Sequence, residues 1–228
     1  MYAILALIAC LGVSLAAQCC VPPQWTSQAS FLTTVVRNGK PYYNRGTLLM
    51  AYDAVRHRIG QYEHVELNSA ANTLDIGVLL DFTANRKWVI NSKTGKCYTM
   101  PLNRKLDDFI GCVSENATLV GSQDSVGFAP NVLRLNTYSM DGPGLREYAS
   151  FTSDACVPVG DTVRGTIDGN MFMENIHFYN VSAGLPVDDP LVVPPRGCEA
   201  ASNFEGQLHF HGGSSLIGRR SMFRILGF

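Results

Sequence analysis

The side chains able to do chemistry are few, and their spacing favours binding over catalysis. Among the five histidines (His57, His64, His177, His209 and His211), His209-Phe-His211 would put two imidazoles on one face of a strand. That spacing can hold a metal, but no third ligand stands out, and an exposed polar face is the favoured reading. Acidic pairs occur at Asp107-Asp108 and Asp188-Asp189, with Asp168-Gly169-Asn170 in a turn sequence. Oxygen-rich loops of this kind bind calcium weakly in extracellular settings. None fits the EF-hand pattern, and Asp and Asn are also the residues that turns prefer. No GxSxG elbow, HExxH helix, GxGxxG turn or P-loop is present, so nothing nominates a catalytic centre or an organic cofactor. Calcium is the one ion the composition brings into view.

Cysteine is the more informative residue. The apolar run "YAILALIACLGVSLAA" over residues 2–17 ends in small residues, is shorter than a membrane span needs, and reads as a signal peptide over 1–17. No Lys or Arg precedes it, which departs from the usual leader. Cys10 would leave with it. Cys19, Cys20, Cys97, Cys112, Cys156 and Cys198 remain, an even set that reads as a disulfide framework in a secreted chain. No CxxC pair is present, which argues against zinc and against a thioredoxin-like site. Adjacent cysteines such as Cys19-Cys20 rarely bridge each other, so each reaches for a distant partner. The sequons at Asn116-Ala-Thr and Asn180-Val-Ser fit the same compartment. That compartment is the extracellular space or, with the same leader, the lysosomal lumen.

These residues need a scaffold, and the hydrophobic pattern supplies one. The chain has 228 residues, 46% hydrophobic, with a formal net charge of −1. It suits a single domain over 18–228, with no electrostatic pull toward nucleic acid and no transmembrane segment after the leader. Period-two alternation dominates. In "LDIGVLLDF" Leu74, Ile76, Val78, Leu80 and Phe82 share a face, with Leu79 as the exception; "TAN" then turns the chain into "RKWVINS", where Trp88 and Ile90 share a face, and "SKTGKC" turns it again. Similar runs at 31–37, 46–53, 57–67, 131–140, 146–154, 161–168 and 171–182 are separated by Gly-, Asn- and Pro-rich turns. The pattern predicts an all-β sandwich or barrel with minor helix, the best helical candidate being "CEAASNFEG" at 198–206. The proline-rich "LPVDDPLVVPPRGC" runs extended. Gly218-Arg219-Arg220, in the C-terminal tail, resembles a prohormone processing signal, but an ordinary amphipathic tail explains it better.

Some strands carry apolar side chains on both faces. Leu48, Met50 and Tyr52 share one face; so do Phe172, Ile176 and Phe178, with Met171 and Met173 opposite. Either such strands are sandwiched in a core, or a concave sheet encloses an apolar cavity. For the second arrangement the candidate lining residues are Leu48, Met50 and Tyr52, then Ile76, Val78, Leu80 and Trp88, then Phe172, Ile176 and Phe178.

The contexts of the cysteines carry a resemblance. "CVPPQW" (20–25), "INSKTGKCYTM" (90–100), "ACVPV" (155–159) and "VVPPRGC" (192–198) occur in an order that resembles the ependymin-related family of secreted glycoproteins, over about Cys20 to Cys198. The resemblance implies two stacked antiparallel sheets in a half-barrel with an apolar pocket, similar to bacterial lipoprotein-localisation carriers. It implies non-enzymatic binding of a fatty acid or another lipid-like ligand. Calcium binding, a homodimer, N-glycosylation, and roles in the extracellular matrix, cell adhesion or the lysosome are associated with the family. A matrix or waterborne signalling protein acting through its surface and self-association is the alternative reading. Carried over, it pairs Cys20 with Cys156 and Cys97 with Cys198, leaving Cys19 and Cys112 to each other. The family's vertebrate members place a cysteine at the far C-terminus; this chain has instead a divergent tail over 202–228.

Overall fold

The computed structural model describes residues 19–68, 72–102, 106, 111–142, 144–167 and 169–200. The expected leader 1–17, Asp107-Asp108, Asp168, the His209–His211 pair and the tail 202–228 lie outside the described residues.

Two long strands form the axis. Pro22-Pro23 feed an extended strand β1 (Gln24–Arg37), which starts earlier than the apolar run at 31 suggests. Asn38 (φ 49°) and Gly39 (φ 74°) turn it into β2 (Lys40–Asp53), the pair of left-handed residues a tight hairpin requires. The chain then walks outward as an antiparallel meander: β3 (Arg58–Leu67), β4 (Thr73–Asp81), β5 (Arg86–Asn91) and β6 (Cys97–Pro101). It crosses over and walks back through β7 (Thr118–Phe128), β8 (Asn131–Gly142), β9 (Leu145–Thr152), β10 (Pro158–Ile167) and β11 (Asn170–Ala183), which pairs with β1. A two-residue strand β12 (Glu199–Ala200) runs parallel to β6 at the start of the expected helix 198–206, whose residues 201–206 lie outside the described residues. β7 is the strand that the alternation missed, because glycine and polar residues interrupt it.

Among the described residues twelve strands form one open antiparallel sheet, apart from that parallel pair, in the order β12-β6-β5-β4-β3-β2-β1-β11-β10-β9-β8-β7. The ladder is continuous, so the expected two layers are two arms of one sheet meeting at β1–β11. The inner face carries Trp25, Leu48, Met50, Ile59, Leu80 and Ile176, each no more than 2% exposed. Burying side chains of this size contributes about 2 kcal/mol each.

The outer face of the β2–β5 arm is covered by the segment Gly184–Cys198. Its 3-10 turn, Pro190–Val192, is capped by Asp189, whose Oδ1 accepts from the Leu191 N–H at 2.9 Å. Arg56 Nη1 donates to the Val187 carbonyl at 2.7 Å and Arg58 Nη1 to the Val192 carbonyl at 3.2 Å. Arg58 also pairs with Asp81 at 2.8 Å, and Arg56 pairs with the fully buried Asp53. Gly60 makes the approach possible: a Cβ there would lie 2.0 Å from the Leu191 carbonyl oxygen. The strap is not the extended run its prolines suggest, since a 3-10 turn interrupts it, and Val192 within it is completely buried.

The disulfides correct the carried-over pairing. Cys19 bridges Cys156 and Cys20 bridges Cys112, while Cys97 bridges Cys198 as expected. The backbone explains the exchange. Val21 N–H donates to the Gly111 carbonyl and Val113 N–H to the Cys19 carbonyl. Those two bonds bracket Cys20 and Cys112 as a facing antiparallel pair with Cα atoms 3.9 Å apart. Successive side chains point to opposite sides, so Cys19 turns inward, buried, toward Cys156, with Cα atoms 5.5 Å apart.

Candidate ligand-binding interior

Residues directly opposite each other in the ladder share a face, so the inner surface can be read row by row. One row runs Trp25–Tyr52–Ile59–Leu80–Lys87, from β1 to β5. The next runs Ser27–Met50–Gln61–Val78–Val89, and a third Phe178–Ala29–Leu48–Glu63–Ile76. On the other arm, Ile176 pairs with Asp161 and Asp161 with Ala149; Glu174 pairs with Val163 and Val163 with Glu147. The interior is thus aromatic and aliphatic, with a polar strip through its middle.

Aromatic packing fixes one end. The Trp25 ring stacks on Tyr52 with centroids 5.8 Å apart and meets Phe178 edge-on at 6.2 Å. Eight of the ten residues expected to line a pocket join this cluster: Leu48, Met50, Tyr52, Ile76, Val78, Leu80, Ile176 and Phe178. Phe172 lies on the same face, in the row Leu145–Gly165–Phe172–Val35. It also lines an open groove of about 690 Å³ at that end of the sheet, with Val36, Arg164, Met171 and Met173. Trp88 is the correction. It pairs with Leu79, and Leu79 with Gly60, which places it on the outer face, the face covered by the strap. The turn at Thr83–Asn85 preserves alternation within each strand but not its phase between strands.

The polar strip escaped the sequence reading because β3 alternates ambiguously. Its inner positions are Ile59, Gln61, Glu63 and Val65; its outer ones are Arg58, Gly60, Tyr62 and His64. Neither set reads as a core, and only the register decides. Glu63 is 4% exposed. Burial, and then the negative charge of Glu174, push its carboxyl up to about 8, while Lys87 pulls the other way. Asp161 is pushed well above the usual carboxylate range, first by burial and then by Glu147 and Glu174. Glu174 accepts a hydrogen bond from Thr33 Oγ1 at 3.0 Å. Among the described residues, both amide atoms of Gln61 and the Ser27 hydroxyl are buried without a hydrogen-bond partner, and the Asp161 oxygens have none of good geometry.

The remaining expected sites lie on the surface. Asn116 and Asn180 are exposed, and Asn180 Nδ2 donates to Gln28 Oε1 at 3.1 Å. Asp188 is exposed and Asp189 serves as the cap described above. Among the described residues no group of three His, Cys, Asp or Glu side chains is arranged to hold a metal ion. Among them, too, no helix is long and apolar enough to cross a membrane.

A family model described as Ependymin matches residues 70–198, more than half of the chain. No curated protein matches the chain. Among solved structures, an uncharacterized conserved protein from Thermus thermophilus is similar at 7% identity and a TM-score of 0.42, covering 76% of this chain and 89% of its own. A LolA-superfamily protein from Nitrosomonas europaea is similar at 6% identity and a TM-score of 0.30, covering 75% and 91%. A domain from Vibrio parahaemolyticus, described as an outer-membrane lipoprotein-sorting protein, is similar at 7% and 0.31, covering 72% and 88%.

Proposed function

The chain belongs to the ependymin family, and from that premise we propose that it is a disulfide-stapled binding protein that takes a lipid-like ligand against the inner face of its sheet. One observation carries the reading: eight apolar side chains chosen from alternation alone converge on that face, around the Trp25–Tyr52–Phe178 cluster. An open sheet with an apolar concave face is a shape that holds hydrophobic molecules. The protein acts by binding and not by catalysis. Three disulfides suit an oxidising compartment, and the exposed Asn116 and Asn180 are suited to N-glycosylation. Secretion is the destination proposed; the lysosomal lumen is the alternative. The test is native mass spectrometry and lipid extraction of protein from a eukaryotic secretion host. Protein that carries no lipid and takes up no fluorescent lipid probe would sink the carrier reading.

A second reading rests on a separate surface. Leu119, Val120, Val126, Val132 and Leu133 on β7 and β8 are between 42% and 57% exposed, and β7 is an edge of the sheet among the described residues. Exposed apolar strands at an edge invite pairing. They support a homodimer acting in the matrix, in adhesion or in waterborne signalling, with calcium-responsive association. Sedimentation with calcium and with a chelator tests it: a monomer in both removes self-association, and an unchanged dimer removes the calcium dependence.

A further inference from the structure

We propose that the open groove beside the β10–β11 hairpin is a second binding site, separate from the inner face, for single-chain amphiphiles whose head is an oxyanion. The groove has a volume of about 690 Å³, within the range of about 300–1,000 Å³ that small-molecule sites occupy. The ladder places its walls. Arg146 faces Arg164, Arg164 faces Met173, and Met173 faces Thr34. Nearer the hairpin turn, Thr166 faces Met171 and Met171 faces Val36. These two rows lie on the outer face. Phe172 and Leu145, which also line the groove, stand between them in the register and belong to the inner face.

Charge identifies the head. Like charges directly opposite each other destabilise a strand pair, yet Arg146 and Arg164 face each other. Asp141 answers one of them: its carboxylate accepts from Arg146 Nε at 2.6 Å and from Nη2 at 3.3 Å. Arg164 instead donates to the Tyr148 hydroxyl at 2.9 Å and lies over that ring at 5.1 Å. Among the described residues it has no carboxylate partner. Hydrogen bonds from Arg146 and then Arg164 hold the Tyr148 phenol below its usual range, so both guanidiniums gather about one oxygen. Each guanidinium has five donors in a planar fork, and Arg164 keeps most of its own for a phosphate, sulfate or carboxylate head. The apolar surface beside it identifies the rest of the ligand. Met171 and Met173 are 61% and 41% exposed and line the groove with Val36 and Phe172. Methionine side chains adapt readily to an apolar guest. With its head at Arg164, an alkyl chain would run over Met173 toward Met171 and Val36.

The experiment titrates decyl phosphate and decyltrimethylammonium, below their micelle concentrations, into the intact, oxidised protein carrying carbon-13 at its methionine methyls. Met171 and Met173, assigned through Met171→Leu and Met173→Leu, report the groove. Met50, buried on the inner face, reports the interior. Decyl phosphate is expected to shift Met171 and Met173 at about tenfold lower concentration than decyltrimethylammonium, the scale of one close ion pair gained. Arg164→Gln should bring that ratio toward one. Met173→Glu, which sets a carboxylate opposite Arg164, should do the same with Met171 as reporter. Lys96→Gln, at an exposed position before β6, should leave the ratio unchanged. Equal binding of the two heads to the wild-type protein, or no shift with either, overturns the site. Decyl phosphate that shifts Met50 and leaves Met171 and Met173 in place also overturns it, while the carrier reading stands. Inorganic phosphate acting at the same concentration as decyl phosphate would remove the alkyl chain from the assignment and overturn it too. So would phosphatidylglycerol vesicles that broaden Met171 and Met173 while monomeric decyl phosphate leaves them unmoved, because the groove would then serve a bilayer surface.

Discussion

The two arms of the sheet use the same strand geometry and treat their outer faces differently. On the β2–β5 arm the outer face carries a buried apolar patch, Ala51, Leu79 and Trp88, beside the Arg58–Asp81 pair, and the strap from Gly184 to Cys198 is held against this face by Arg56 and Arg58. On the β8–β10 arm the outer face is polar. Arg164 lies over the Tyr148 ring at 5.1 Å and donates to its hydroxyl at 2.9 Å, Arg146 pairs with Asp141 at 2.6 Å, and Thr137 meets Ser150 at 2.9 Å. The lesson concerns strands that are apolar on both faces. In β4 and β5 the second apolar face marks a cover supplied by another segment. In β11 the outer Met171 and Met173 stay exposed and line the groove at the sheet's end. One sequence pattern therefore corresponds to two physical situations.

The largest expected effect comes from cutting the strap's far anchor. Replacing Cys97 and Cys198 with serine opens a loop of sequence separation 101. By loop-closure entropy this should cost about 4–5 kcal/mol, read as a lower urea midpoint in non-reducing buffer. A loss much below that would mean that the arginine–carbonyl bonds hold the strap without the bridge.

Gly60→Ala sets the new methyl against the Leu191 carbonyl and should displace the strap at its centre. Overpacking of this kind costs about 1–3 kcal/mol. Amide exchange should rise in β3–β5 and stay unchanged in β8–β10; uniform loosening of both arms would contradict a local role for the cover.

The interior carboxyls make the next effect one of pH. The folded chain holds the Glu63 proton up to about 8, against an ordinary value of 4.5. Between those values the folded state binds more protons than the unfolded one. Stability is therefore fully present below about 4.5 and lost as pH rises through 8. Asp53 shifts the other way: burial raises it, but hydrogen bonds from Gln24 and Arg56 outweigh that and hold it low. Asp75, hydrogen-bonded to His64, is held low too. Their contributions are lost only as pH falls below 3.8. Thermal melts should thus show a higher midpoint at pH 5.5 than at pH 8.5, and Glu63→Gln should flatten the slope. A midpoint that rises across that range would contradict the burial of Glu63.

The smallest effect is on the polar arm. Arg164→Ala removes an exposed contact with Tyr148 and should change stability by about 0.5 kcal/mol or less.

The cysteine exchange has its own qualitative test. Cys20→Ser should leave Cys112 open to thiol labelling, and Cys19→Ser should expose Cys156; labelling of Cys156 in the Cys20→Ser protein would restore the carried-over pairing.

The strands and turns were legible because alternation and left-handed turn residues are local. The SKTGKC turn, with Gly95 at φ 68°, and the Leu74–Leu80 face stand as read. β7 was not legible, since Gly121, Gly127 and its polar positions break the alternation. The apolar half of the candidate interior was visible in β2, β4 and β11. The polar half was not: Gln61, Glu63 and Asp161 look like surface residues until their facing partners are known.

By itself the sequence determined the period-two fold class, the even cysteine set and the family resemblance, all of which depend on residue type and short spacing. Tertiary structure decided which of Cys19 and Cys20 turns inward, that Trp88 lies on the outer face, and that acids line an apolar interior. The reason is parity. Successive side chains in a strand face opposite ways, so a single-residue change of register exchanges inside for outside, and register is set by partners far away in the chain.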